Sequence, residues 1–152
     1  MRRRARRSAQ PLGVMIEAAD IAGREFDWYA VDDAGEVAVF ATAGSGPVPP
    51  LVRSSVQAHN EISDSLDVSG WGTPQVWESY SKVGLFAYDW HGANGCYVRM
   101  AVPEQPSYTE LTRRLRAASG LVRLPVRFSE TSKLESTQVM TPNTSLERTR
   151  ER

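Results

Sequence analysis

Apolar and polar residues alternate along two separate parts of the chain, and each part predicts a β-hairpin. In the first part, residues 26–31 and 37–43 are rich in valine and aromatic residues, which favour strands. Asp32-Asp33-Ala34-Gly35 lies between them. Aspartate accepts local backbone hydrogen bonds and glycine readily adopts a positive φ, so this tetrapeptide predicts the connecting turn.

The second hairpin is predicted over residues 84–90 and 96–102, because the Asn94-Gly95 pair between them is a strong turn signal. A strand alternates its side chains between two faces. The residues expected to face the core are Cys96, Val98, Met100 and Val102. Those expected to face outward are Tyr97, Arg99 and Ala101.

Elsewhere the apolar positions recur every three or four residues, which predicts helices. One amphipathic helix is expected over residues 49–66. A shorter one is expected over residues 73–82, with Thr73 as its N-terminal cap. A third is expected to begin at the capping box formed by Ser107 and Glu110.

The last alternating stretch, residues 122–128, predicts a strand, and Pro125 within it favours a sheet edge. Hairpins that alternate with helices indicate an α+β fold. We therefore predict a mostly antiparallel sheet built from two hairpins plus an edge strand, with about three helices packed on one face.

The same patterns divide the chain into a single α+β domain, residues 15–130, and two ends without apolar periodicity. Residues 1–14 carry five arginines and no acid, which indicates a disordered basic arm or a start that truly lies at Met15. Residues 131–152 are expected to form a disordered tail.

The domain and the basic arm carry net charges of opposite sign. Residues 15–130 carry nine lysines and arginines against fifteen aspartates and glutamates, a net charge of −6. A surface of that sign repels phosphate, so nucleic acid is not expected as the main partner except through the N-terminal arginines. Another protein is the expected partner.

The amino-acid composition also indicates in which compartment the protein is expected and which cofactors it could hold. The single cysteine, Cys96, excludes an intrachain disulfide and a multi-cysteine zinc site, which favours the reducing cytoplasm. The apolar runs are too short to span a bilayer, so no membrane association is expected. Gly44-Ser45-Gly46 lacks the lysine of a phosphate loop, and no cofactor or metal is expected.

Two acidic features are candidates for a site. Paired carboxylates such as Asp32 and Asp33 perform acid–base catalysis when their environments separate their pKa values. In an exposed turn neither burial nor positioning is expected, so the turn interpretation is preferred.

The dipeptides Asp27-Trp28 and Asp89-Trp90, with His91 after the second, are the stronger candidates. Each lies on a hairpin strand, and tryptophan is favoured where a surface recognises a partner. We take these five residues as the partner-binding candidates. The competing interpretation is that the aromatic side chains only pack the core.

The two histidines of the chain, His59 and His91, limit any enzyme hypothesis. Either one, with Cys96 or an aspartate, would supply parts of a thiol hydrolase, which needs a base beside its nucleophile. His59 falls on the apolar stripe of its helix and is expected to be a core residue. Cys96 is expected to be a small buried hydrophobe.

Several segments resemble a group of small uncharacterised bacterial proteins. They are Phe26-Asp27-Trp28-Tyr29-Ala30-Val31-Asp32-Asp33-Ala34-Gly35, Tyr88-Asp89-Trp90 and Leu124-Pro125-Val126-Arg127-Phe128. The resemblance covers about residues 15–130 and implies no activity, although some proteins of this kind look like immunity proteins that neutralise toxins. The segment NTSLERTR near the C-terminus resembles a translated repetitive-element tail.

These observations together predict a small cytoplasmic, non-catalytic protein-binding module, with an immunity protein as the analogy. The alternative is a hydrolase-type enzyme that uses His91 or His59.

Overall fold

The computed structural model of the chain describes residues 26–104 and 110–140, and a six-stranded sheet runs through these ranges. The strands are β1 (Asp27–Val31), β2 (Val37–Ala41), β3 (Phe86–His91), β4 (Cys96–Ala101), β5 (Val122–Arg123) and β6 (Lys133–Glu135). Their order across the sheet is β5-β1-β2-β3-β4-β6.

The sheet is mixed, which corrects the prediction of a mostly antiparallel one. The pairs β1–β2, β3–β4 and β4–β6 are antiparallel, as the two predicted hairpins require. The pairs β1–β5 and β2–β3 are parallel. A long connection with helices separates β2 from β3, and such a crossover allows both strands to run in the same direction.

The described residues contain five α-helices rather than about three. They are α1 (Pro50–Arg53), α2 (Val56–Ser65), α3 (Gln75–Lys82), α4 (Glu110–Arg116) and α5 (Ser136–Met140). A 3₁₀ turn, Phe128–Glu130, precedes β6. The α+β class is confirmed, while the helix number is corrected.

The helix predicted over residues 49–66 is divided into α1 and α2 at two serines. The Ser54 hydroxyl donates to the carbonyl of Leu51 at 2.9 Å. Serine side chains compete in this way for backbone groups that a continuous helix would use. The predicted Thr73 cap is also wrong, because its hydroxyl donates back to the carbonyl of Gly70 at 2.8 Å.

Both faces of the sheet are covered, and the described residues form two hydrophobic clusters. Helices α2, α3 and α4 pack on one face, which we call the helical face, through Ile62, Val76 and Leu115 among others. The opposite face, which we call the aromatic face, buries Trp28, Phe40, Tyr88, Tyr97 and Phe128. Residues of α1 and α5 close this second cluster.

The disordered tail predicted from residue 131 is wrong for residues 133–140. Strand β6 pairs with β4, and Leu134 and Val139 are fully buried. The segment offers only two widely spaced core residues, too few for a periodic signal, and its order comes from contacts with distant parts of the chain. Residues 141–152, the arm 1–14 and Ser107 of the capping box lie outside the described residues.

The predicted faces of β4 are also partly wrong. Tyr97 is fully buried, whereas Met100 and Val102 are 38% and 50% exposed. Tyr97 is buried because the aromatic face to which it points is also covered. The register between β3 and β4 shifts between Ala87 and Tyr88, which interrupts the alternation at Met100. Cys96 is buried as expected.

The predicted edge strand over residues 122–128 is much shorter than expected. Only Val122 and Arg123 form β5, although β5 does lie at an edge of the sheet. Phe128 is buried at the beginning of the 3₁₀ turn instead of on a strand.

The Asp32–Gly35 turn is confirmed, but Asp32 is fully buried rather than exposed. Its Oδ1 accepts hydrogen bonds from the backbone N–H groups of Ala34 and Glu36, both at 2.9 Å. Its Oδ2 accepts from the N–H of Phe128 at 2.7 Å. Asp32 is therefore a structural residue that joins the first hairpin to the end of the domain.

Candidate functional site

A cavity of about 430 Å³ lies on the helical face, where the ends of β1, β2 and β3 meet α3 and the loop before it. Its walls combine acidic, aromatic and small residues. They are Phe26, Asp27, Ala41, Ala43, Asn60, Trp71, Gly72, Thr73, Pro74, Val76, Trp77, Tyr80 and Asp89. Its size falls within the range of small-ligand sites.

The sheet register places two carboxylates in this cavity. Asp27 pairs with Ala41 on β2, and Ala41 pairs with Asp89 on β3. Neighbouring strands lie about 4.8 Å apart, so the two aspartate backbones are separated by roughly 10 Å. Alanine between them carries only a methyl group, which leaves room above β2.

Each aspartate also has a polar neighbour. The Tyr80 hydroxyl donates to Oδ2 of Asp27 at 3.4 Å. Nε2 of His91 lies 3.6 Å from Oδ2 of Asp89. Both carboxylates are thus held at the border between the sheet and the cavity.

Aromatic rings form another part of the cavity wall. The ring centroids of Trp71 and Trp77 lie 6.1 and 6.2 Å from that of Tyr80. The loop that carries Trp71 is attached to α3, because the N–H of Ser69 donates to the Ser79 hydroxyl at 2.8 Å. Gly70 has φ +79°, and a Cβ there would lie 2.9 Å from Cβ of Gln75, so glycine permits this close approach.

The charged residues among the described lining of the cavity are both acidic, Asp27 and Asp89. Among the described residues that line it, none is lysine or arginine. A second concavity of about 720 Å³ shares Trp71 and includes Asp64 in its lining. Carboxylates in a low-dielectric recess make a negative potential, which attracts cations.

The structure separates the predicted site residues onto the two faces of the sheet. Asp27 and Asp89 line the cavity together, and His91 lies beside Asp89. Successive strand residues point to opposite faces. Trp28 and Trp90, which follow the aspartates, accordingly lie on the aromatic face and not in the cavity.

Trp28 is a core residue. It is fully buried, it stacks on Phe40 with centroids 4.3 Å apart, and its Nε1–H donates to the Tyr97 hydroxyl at 3.2 Å. In this conformation its ring cannot contact a partner. Trp90 is half-buried and packs edge-on against Tyr97 at 5.1 Å.

Trp71, Trp77 and Tyr80 were not predicted as site residues from the sequence. The available signal was the spacing of Trp77 and Tyr80, since residues three apart on a helix lie on the same face. The spacing does not predict that α3 packs over the ends of β1 and β3, because tertiary packing determines that position.

His59 is confirmed as a core residue. Its Nδ1 accepts a hydrogen bond from the N–H of Tyr29 at 3.0 Å, so Nε2 carries the proton and donates to the carbonyl of Gly120 at 2.7 Å. Burial lowers the pKa of His59 to about 4. Both ring nitrogens are occupied by backbone groups, which leaves this histidine no site for substrate.

His91 and Cys96 are cross-strand partners on β3 and β4, and Asp89 is close to the imidazole. The thiol of Cys96 is buried. In the described part of the chain, no group of three or more His, Cys, Asp or Glu side chains is arranged to hold a metal ion.

Comparison of the chain with protein-family models, with curated proteins and with solved structures found no match. The resemblance to small bacterial proteins therefore stays an expectation. Within residues 26–104 and 110–140, no helix has the length and apolar character needed to cross a membrane.

Proposed function

We propose that this protein is a non-catalytic protein-binding module and that the cavity between Asp27, Asp89, Trp71 and Trp77 is its docking site. The observation that carries the proposal is the combination of tryptophan rings and carboxylates around one recess. Tryptophan dominates the energetics of many protein interfaces, because a large ring enters a desolvated contact at little entropic cost.

The partner expected from this surface is a basic protein. The acidic domain and its negative recess would accelerate the approach of a positively charged surface and reject an acidic one. A cytoplasmic toxin neutralised by an immunity protein is one partner of this kind, by analogy and not by descent. The single cysteine supports the cytoplasmic location that this proposal assumes.

The alternative function, a hydrolase-type enzyme, rests on His91, because Asp89 and Cys96 are its neighbours. A thiol nucleophile must reach its substrate, and here the thiol is buried. Neither His91 nor Cys96 lines the cavity. Binding therefore accounts for the recess more directly than catalysis does.

The proposal predicts that Trp77→Ala reduces partner capture without unfolding the domain. The full chain with an affinity tag would be used to capture proteins from native lysate, and quantitative mass spectrometry would compare the variants. Loss of an interface tryptophan costs about 2 kcal/mol or more, which corresponds to a roughly thirtyfold loss of affinity.

Glu78→Ala is the matched control, since Glu78 is the next residue on α3, is exposed and does not line the cavity. It should capture the partner as the native chain does. Thermal melts of all three proteins establish that they are folded. A partner captured equally by native and Trp77→Ala proteins would show that docking occurs elsewhere.

A further inference from the structure

His59 is a buried titratable residue that the proposed function does not use. We infer that it is an acid-sensitive latch: its neutral ring holds α2 against β1 and against the connection between α4 and β5, and protonation opens this contact locally while the sheet stays formed. The inference concerns the fold and does not depend on the docking role proposed for the cavity.

Three elements meet at the imidazole ring. Its Nδ1 accepts from the N–H of Tyr29 on β1 at 3.0 Å, and its Nε2–H donates to the carbonyl of Gly120 at 2.7 Å. The ring also stacks on that of Tyr29, with centroids 6.0 Å apart. Gly120 has φ +90°, and a Cβ there would lie 2.9 Å from Cβ of Ser55, so the α4–β5 connection packs tightly against the start of α2.

The bond to Tyr29 completes the hydrogen bonding of the sheet. The pairing of β5 with β1 begins at Ala30, one residue after Tyr29. The Tyr29 N–H therefore lies at the open end of this ladder and takes its acceptor from His59. A buried N–H that loses its acceptor is costly, so the contact depends on an unprotonated Nδ1.

The surroundings of the ring offer no counter-ion for a charged form. The titratable groups that flank the three contact points form no ion pair with His59 among the described residues. They are Glu61 on α2, Asp27 and the Tyr29 hydroxyl on β1, and Arg116 and Arg123 at the two ends of the α4–β5 connection. The Tyr29 hydroxyl bonds instead to that of Ser63 at 2.8 Å.

Protonation removes the acceptor, because an imidazolium carries N–H groups at both nitrogens. The bond to Gly120 could persist, whereas Nδ1–H would point at the Tyr29 N–H. A charge buried without a partner is also strongly unfavourable. Both costs are relieved when α2 separates from β1 far enough for water to reach the ring. Asn60, the next residue on α2, lines the cavity, so the opening also changes that wall.

The pH range of the opening follows from the two forms of the ring. Burial lowers the pKa of His59 to about 4, from the ordinary 6.5 that the ring regains in water. The latch therefore holds fully above pH 6.5 and weakens as the pH falls towards 4. Between pH 7 and pH 5 the equilibrium constant for opening should rise about twentyfold.

Amide hydrogen exchange of the full native chain, followed by two-dimensional NMR, measures this opening at the Tyr29 N–H. After correction for the intrinsic exchange rate, we expect its protection to fall about twentyfold from pH 7 to pH 5. Low urea should leave this exchange unchanged, because a local opening exposes little surface. The N–H of Phe40, on the central strand β2, should be better protected and should respond to urea.

Exchange of Tyr29 with the same free energy and urea dependence as Phe40 at pH 5 would overturn the inference, since the contact would then open only with the whole domain. His59→Gln keeps an acceptor and a donor but does not titrate, and its Tyr29 protection should change less than about twofold over the same range. His91→Gln, which removes the other histidine, is the matched control and should keep the twentyfold change. A twentyfold change that persists in His59→Gln would also contradict the latch.

Nitrogen chemical shifts of the His59 ring test the geometry in the native chain without a substitution. We expect the neutral ring protonated at Nε2 at pH 7, as its two bonds require. A ring that carries its proton on Nδ1, or on both nitrogens, at pH 7 could not accept from Tyr29 and would overturn the inference.

Discussion

Replacing Trp28 by alanine is expected to lower the free energy of unfolding by about 3–5 kcal/mol, the range for a buried tryptophan. The ring stacks on Phe40 at 4.3 Å and lies edge-on to Tyr97 at 5.9 Å, so its removal opens a cavity in the aromatic cluster. It also leaves the Tyr97 hydroxyl without the Trp28 donor. Urea denaturation followed by far-UV circular dichroism measures the change.

Trp28→Phe separates packing from hydrogen bonding, because phenylalanine keeps a ring but has no N–H. We expect a loss of about 1–2 kcal/mol, since the Tyr97 hydroxyl still donates to the carbonyl of Pro47 at 2.8 Å. Partner binding at the cavity should be unchanged in this variant. A stable Trp28→Ala protein that fails to bind would instead make Trp28 a partner contact.

Stability is expected to fall by about 3 kcal/mol between pH 6.5 and pH 4 on account of His59 alone. Burial lowers the pKa of His59 to about 4 from its ordinary 6.5, and each pKa unit corresponds to about 1.36 kcal/mol. Below pH 6.5 the unfolded chain binds a proton at this position while the folded one does not. The contribution is therefore fully present above pH 6.5 and is lost as pH falls towards 4.

His59→Gln removes the titration, and its amide offers an acceptor and a donor for the backbone groups of Tyr29 and Gly120. The measurement is the difference in unfolding free energy between native and variant proteins at several pH values, because carboxylates titrate in both and cancel. His91 is also common to both. A difference that stays constant from pH 7 to pH 4 would mean that the pKa of His59 is the same in the folded and unfolded states, which would contradict this prediction.

Local chemistry made the two hairpins predictable. Asp32 and Gly35 in the first turn, and Asn94 and Gly95 in the second, determine the chain reversal within a few residues, so both antiparallel pairs could be predicted. The parallel pairing of β2 with β3 could not, because it depends on where the intervening helices pack.

Long-range contacts explain the remaining differences. The bond from Phe128 N–H to Asp32 joins positions 96 residues apart, and no short pattern encodes it. Strand β6 is only three residues long and is defined by its pairing with β4. Such an element has no amphipathic period of its own.

The candidate site was predictable in part. The repeated Asp-Trp dipeptides indicated Asp27 and Asp89, but strand alternation directs each aspartate to the helical face and each tryptophan to the aromatic face. In the proposed function, the aspartates of the two dipeptides belong to the docking site, whereas Trp28 and Trp90 pack in the aromatic cluster. The tryptophans of the cavity, Trp71 and Trp77, come from a loop and a helix far from the hairpins in sequence.

The proposed function requires that the cavity, and not another surface, contacts the partner. Hydrogen exchange of the free and partner-saturated protein tests this claim most directly, because it maps the contact without mutation. We predict slower exchange at residues 70–77, around the two cavity tryptophans, and unchanged exchange in α4, whose last turn carries Arg113, Arg114 and Arg116. Slower exchange confined to α4, with residues 70–77 unaffected, would contradict it.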